Sequence, residues 1–421
     1  MRSAQLLLFA CLPLAAAEFR AAAVKADITP ASSQWLMGYN ARKSTGVMDR
    51  IYHRVVAMSA GDQQFYLVSS DLCLFSPEVY DEAATELERD AGIRRSQFWW
   101  SVTHTHAAPE VGPPGVYKAL LGRSDHEWDR DYAALVKDTL VRAVKEARGG
   151  LQPARIAFGQ GIAMANINRR AKDVDGQVSI GLNPEGPVDR QIGLIRIERA
   201  DGSLLALVAN YAMHGTVMNG QNLQISDDGP GVVSAYLEQK LGAPVLYVNG
   251  AAGNIAPIYS VYPDARSGHL SQFRVLLGDR ILASVKSMGP GTADVTLWSG
   301  EKPVPTPRKP ELVWPEELKQ YGDGAAVLLP VRFLRINDMV AWAAPVELFC
   351  EIALAVRSQS PFANTFYFGY TNGWLGYLPT AQGFAEGGYE PRTSVVTAQA
   401  EADVTQAVVA FVQGLNASSR R

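Results

Sequence analysis

Five apolar runs in this chain each stop abruptly in polar or glycine-rich residues, and that repeated form limits the folds open to it. The first is Phe98-Trp99-Trp100-Ser101-Val102-Thr103, which ends in His104-Thr105-His106. Leu204 to Met213 ends in His214-Gly215-Thr216, and Val245 to Val248 in Asn249-Gly250-Ala251-Ala252-Gly253. Met339 to Ala344 ends in Pro345-Val346-Glu347, and Phe366-Tyr367-Phe368 leads into the stretch Gly369 to Pro379. Runs of this length read as buried strands, and loops at strand ends are where sites are usually built. Alternate strand residues share a face. If the first strand continues, Phe98, Trp100, Val102, His104 and His106 therefore all point one way.

Helical signals lie between these runs. Ser76-Pro77-Glu78 supplies an N-cap, a first-turn proline and an early acid for a helix to about Ala91. A longer amphipathic helix is expected over His126 to Arg148, and others at Gly231–Leu241, Phe273–Ser287, Leu348–Ser358 and Val395–Leu415. Hairpins are expected at Asp201-Gly202 and Asn337-Asp338. Hairpins mixed with helical crossovers imply an α/β fold of mixed sheets with flanking helices, and not a barrel of eight regular units. The proline- and charge-rich stretch Glu301–Pro310 reads as a surface excursion.

Of the 421 residues, 47% are hydrophobic and 19% charged, an ordinary globular balance. A net charge of −3 supplies no basic field for nucleic acid. Arg2, the apolar run Leu6–Leu14 and Ala15-Ala16-Ala17 form a secretion-signal pattern, so residues 1–17 are expected to be removed and the protein to be secreted or periplasmic. A lipoprotein box at Leu8-Phe9-Ala10-Cys11 is the weaker alternative. No later stretch is long and apolar enough to span a membrane, and residues 18–421 are expected to form a single domain. Of the three cysteines, Cys73 and Cys350 then remain, too few for a thiolate zinc site. Any metal must be held by nitrogen and oxygen.

Two histidines from different elements plus one carboxylate form a common ligand set for catalytic zinc. His104, His214 and Glu347 would provide it. His106, two residues from a ligand, is placed to act as general base or to contact a developing oxyanion. Asp71, at its own strand end, would orient one imidazole. Each residue taken alone has a plainer explanation. His214 alone reads more readily as a hydrogen-bonded core histidine, Glu347 as an acid at a helix N-terminus, and Tyr377 and Tyr389 as packing residues. The Asn249–Gly253 run lacks the lysine of a P-loop and reads as a turn that lets backbone approach the site.

Six segments in order resemble the neutral/alkaline non-lysosomal ceramidase family. They are Thr103-His104-Thr105-His106, Asn166-Ile167-Asn168-Arg169, Ala212-Met213-His214-Gly215-Thr216, Gly253-Asn254-Ile255-Ala256-Pro257, Pro345-Val346-Glu347, and Gly376-Tyr377-Leu378-Pro379-Thr380 with Tyr389 beyond. The resemblance implies a zinc amidase that cuts the N-acyl bond of ceramide. One zinc per chain would be held by His104, His214, Glu347 and the phenol of Tyr377. His106, Arg169 and Tyr389 fall at positions that bind and polarise the scissile amide. The implied partner is a small-molecule or lipid N-acyl substrate. Where the family often carries a serine, this chain has Ala256, which leaves water activated by the metal as the attacking group. The family's chains commonly continue into an immunoglobulin-like domain, whereas the catalytic domain alone is expected here. The alternatives are a metallohydrolase of another amide or ester, a binding relative without catalysis, and an amidohydrolase barrel. The barrel requires further histidines on successive strands, and of the six histidines only His214 follows another convincing one.

Overall fold

The computed structural model describes residues 18–122, 126–258, 269–322 and 324–418, so the expected leader at 1–17 lies outside them. Eight strands form one mixed sheet, in the order Val245–Asn249, Leu204–Tyr211, Gln191–Arg199, Gln152–Ile162, Arg20–Asp27, Tyr52–Ala60, Gln63–Ser70 and Phe98–Val102. The inner pairings are antiparallel, and the outermost pair at each end is parallel. A parallel neighbour requires a crossover. Helix Pro77–Ala91 makes one crossover and helix Asp228–Leu241 the other. The sheet curls until its two ends meet, where Ser69 Oγ donates to the Tyr247 carbonyl and Asn249 Nδ2 to that of Thr103. His104 and His214 therefore leave the carboxyl ends of strands from opposite halves of one sheet and still arrive together.

A second sheet packs on the first, in the order Leu297–Pro307, Ala326–Ile336, Met339–Ala343 and Asn364–Phe368. Its Leu334, Ala341 and Phe366 share a core with Val56, Leu67 and Trp99. Helix Arg130–Gly149 covers the outer face of the first sheet, and helix Ala400–Ser418 covers the second. The strand Phe98–Val102 is buried along its whole length. Trp99 meets Phe65 and Phe368 between the sheets, while Trp100 meets Phe75 on the helix side. Each such side chain contributes roughly 1.5–3 kcal/mol by leaving water. This is the α/β fold of mixed sheets with flanking helices expected from the sequence.

The proline-rich stretch is not a surface excursion. Leu297–Pro307 pairs along its whole length with Ala326–Ile336 as an edge strand. Pro303, Pro305 and Pro307 alternate, so the missing N–H groups all lie on the edge that faces away from the ladder, and Pro303 opposes Pro330 where neither residue donates. Helix starts also shift. The long helix begins at Arg130, where Asp129 caps Tyr132 N, and the helix expected from Leu348 begins at Cys350. Glu347-Leu348 instead pairs with Tyr377-Leu378. The helix expected from Phe273 opens with a π turn, Arg274–Gly278, before Asp279–Lys286.

Candidate metal centre and adjoining cavity

The Phe98–Val102 strand stops short of the histidines. His104 has a φ of 65°, a left-handed conformation uncommon outside glycine, so strand alternation does not carry through to His106. The two imidazoles converge because the backbone turns, with their Nε2 atoms 3.2 Å apart. Backbone bonds hold the turn, from Thr103 N to Ser70 O, His104 N to Leu72 O and His106 N to Gly215 O, at 2.8–2.9 Å. Gly215 is required here, since a Cβ would strike the His104 carbonyl.

Each imidazole that faces Glu347 is oriented through its other nitrogen. His104 Nδ1 lies 2.8 Å from the Cys73 carbonyl, and His214 Nδ1 lies 2.6 Å from that of Ala252 and 3.1 Å from that of Ile255. A carbonyl only accepts, so both Nδ1 atoms carry the proton and both Nε2 atoms present lone pairs. Those lone pairs face Glu347 Oε2 at 3.3 and 3.1 Å. Trp374 Nε1 donates to Glu347 Oε1 at 3.0 Å, and Tyr370 Oη to Oε2 at 3.4 Å. The Asn249–Gly253 turn brings backbone in as expected, because Gly253 lies where a Cβ would overlap the Glu347 carbonyl.

Three acceptors converging in a buried space fit a cation. Four-coordinate zinc bonded at about 2.0–2.1 Å separates its ligand atoms by roughly 3.4 Å, close to the spacings found here. Burial, with the Arg169 charge beside it, lowers His214 to about 3. Burial and the neighbouring imidazoles also push His106 well below its ordinary value. Cys73, His104 and His106 form a second close group. Burial raises the Cys73 thiol well above its usual range, and the nearest His104 nitrogen already donates to the Cys73 carbonyl, so this group is the poorer holder.

Arg169 joins the corner formed by His104, His214 and Glu347 to the wall of an adjoining cavity. It donates from Nη1 to His214 Nε2 at 2.9 Å, from Nη2 to Tyr377 Oη at 3.1 Å and from Nε to Glu390 Oε1 at 2.9 Å. It stands on the strand Asn166–Lys172, between Val178–Asn183 and Ile255–Pro257, beside a register shift between Ile180 and Asn183. Tyr377 is positioned by its pairing with Glu347, and the Tyr389 ring meets it edge-on at 5.6 Å. A cavity of about 970 Å³ opens over these groups, lined by His106, Arg169, Tyr377, Tyr389, Tyr39 and Ala256 among others. All seven residues singled out for metal and substrate thus gather here. Arg169 engages two of the four expected ligands, His214 through Nε2 and Tyr377 through its hydroxyl.

Asp71 does not orient an imidazole. Its carboxylate accepts from Arg54 Nη1 at 2.7 Å and Tyr52 N at 2.9 Å, closing a buried ion pair that Glu238 shares. A strand-end position did not reveal that an arginine on the directly paired strand would claim it. Sequence reasoning missed Glu390, Trp374, Tyr370 and Tyr39. For Glu390 a signal existed, since the adjacent Arg169 and Arg170 require a carboxylate if buried.

Residues 19–258 match the family described as neutral/alkaline non-lysosomal ceramidase, N-terminal. The chain belongs to that family. It is 27% identical to the neutral ceramidase of Pseudomonas aeruginosa over 258 residues, 57% of this chain and 37% of the relative. It is 29% identical to neutral ceramidase B of Dictyostelium discoideum over 262 residues, 58% of this chain and 34% of the relative. The matched stretch thus spans about a third of these relatives' lengths. The crystal structure of the Pseudomonas aeruginosa neutral ceramidase superposes with a TM-score of 0.76 at 20% identity, covering 93% of this chain and 74% of that one. A structure described as ceramidase complexed with C2 gives 0.77 at 18% identity, covering 96% and 76%. Glu347, Tyr377 and Tyr389 lie beyond the family match, and the geometry above is what bears on them. Among the described residues no helix is long and apolar enough to cross a membrane.

Proposed function

We propose that this family member hydrolyses the N-acyl amide bond of a ceramide, with one zinc ion held by His104, His214, Glu347 and the phenol of Tyr377. The observation that carries the reading is the acceptor-rich corner of His104 Nε2, His214 Nε2 and Glu347 Oε2 beside a cavity also lined by Arg169 and His106. When bound, zinc supplies Lewis acidity and acidifies water. The chain's own residues do the rest. Arg169 carries two Nη groups with N–H to spare at the cavity wall, suited to the amide oxygen as negative charge grows there. Tyr389, half-buried, offers a phenolic donor on the same side. His106 is neutral and accepts the proton lost by attacking water, then delivers it to the departing amine nitrogen as the C–N bond breaks. Water is the nucleophile because Ala256 has no hydroxyl and the buried Cys73 stays a thiol.

The uncharged amide and long tail of a ceramide suit a cavity whose lining includes Leu121, Ile180 and Tyr117 and whose cationic group, among the described residues, is Arg169. The leader pattern of Arg2, Leu6–Leu14 and Ala15–Ala17 supports export as part of this reading. The test is chelation followed by stoichiometric zinc addition, assayed on a panel of N-acyl amides and esters. Loss of ceramide cleavage on chelation and its return at one zinc per chain is the expected result. Zinc binding with no turnover of any amide or ester would overturn it.

A further inference from the structure

We propose that Glu390 is a positioning residue for amide hydrolysis, acting through Arg169. The inference rests on the role given to Arg169 above and adds the group that aims it. Glu390 is 1% exposed and uses both carboxylate oxygens on guanidinium groups. Oε1 accepts from Arg169 Nε at 2.9 Å and Oε2 from Arg170 Nη1 at 2.6 Å. Consecutive strand residues normally leave on opposite faces. Two neighbouring arginines meeting one carboxylate therefore tie down a single side-chain arrangement, and the nearby register shift helps turn them.

The geometry of the guanidinium explains why the Nε contact matters. Its donors are coplanar and rigidly disposed. Holding Nε on Glu390 turns the two Nη groups the other way, toward His214 and Tyr377 at the cavity. Arg170 has further acceptors in the carbonyls of Gly383 and Gly387 and in Glu386, whereas Glu390 is the carboxylate that hydrogen-bonds Arg169. Glu390 also follows Tyr389 directly, in the one-turn segment Tyr389–Arg392. The same carboxylate thus aims the guanidinium and fastens the turn that carries the phenol.

A double-mutant cycle separates this role from a structural one. Single variants R169A and E390Q and the double variant are assayed for kcat and KM on zinc-loaded protein, with bound zinc and Tm recorded. E390Q is expected to lower kcat on the order of 10²-fold, as a misplacement of about 1 Å can. Bound zinc should stay at one per chain and KM should change little. On the R169A background the same substitution should change kcat by less than about twofold, because the group it aims is gone. E390D, which keeps the charge, should recover part of the loss. If E390Q is as harmful without Arg169 as with it, or if R169A lowers kcat and E390Q does not, the assignment of Glu390 falls alone. If R169A leaves kcat intact, the role given to Arg169 fails and takes this inference with it. If neither E390Q nor E390D folds, Glu390 holds the fold and the assignment is wrong.

Discussion

The two sides of the cavity are built differently. The histidine side is made of backbone, with strands buried on both faces, loops laced by main-chain bonds, and glycines where chains touch. The Arg169 side is made of side chains. Arg169 and Arg170 lean on Glu390, and the strand Val178–Asn183 beside them exposes Ile180 and Leu182. Metal ligands need fixed spacing, which a rigid core supplies. Substrate contacts need donors that extend into a space, which long side chains supply when another side chain holds them. A substitution on the first side should therefore change what is bound, and one on the second should change how fast it reacts.

The strongest break of that contrast is on the metal side. H104A or H214A is expected to remove bound zinc and to lower kcat/KM by at least about 10⁴-fold, since each deletes one of three converging donors. Metal analysis of the purified variants checks it, alongside turnover with zinc in excess. A variant that retains one tightly held zinc per chain would show that the ligand set is wrongly drawn.

A milder change on the same side tests whether orientation matters as well as identity. Trp374 Nε1 donates to Glu347 Oε1 at 3.0 Å, leaving Oε2 for the metal corner. W374F keeps an aromatic ring, a smaller one, and removes the donor. Outer-shell hydrogen bonds of this kind are worth about 10- to 100-fold in metal affinity. Zinc affinity by competition with a chelator should fall by that factor, with kcat at saturating zinc within about threefold. Unchanged affinity would place Trp374 in packing alone.

Much of the histidine side is legible in the sequence, because its strands are long apolar runs closed by turn residues. His104 and His214 stand where such runs end, and their convergence follows once the sheet curls. What escaped reading depends on partners distant in the chain. The His104 turn is imposed by contacts to Leu72 and Gly215, and nothing local announces a positive φ at a histidine. Trp374 and Glu390 matter through Glu347 and Arg169, which lie 27 and 221 positions away. Asp71 shares its strand-end position with His104 and His214, so position alone does not separate them, and the deciding fact is Arg54 on the neighbouring strand. The alternating prolines of Leu297–Pro307 read as a break because the sequence does not say which edge of a sheet a strand occupies.

The smallest expected effect lies on the cavity wall between the two sides. Ala256 pairs with Ile167 and lines the cavity beside Arg169 and Tyr377. A256S would place a hydroxyl there without distorting a backbone already held in the ladder. A serine is a weak nucleophile unless a base lies within hydrogen-bond reach. His106, the neutral imidazole on the cavity, has its Nε2 turned toward His104 instead. The rate should therefore change by less than about threefold, with no acyl-enzyme burst in the first turnover. A rise well beyond that, or a burst equal to the enzyme concentration, would mean that this wall can supply the attacking oxygen and that water is not the only route.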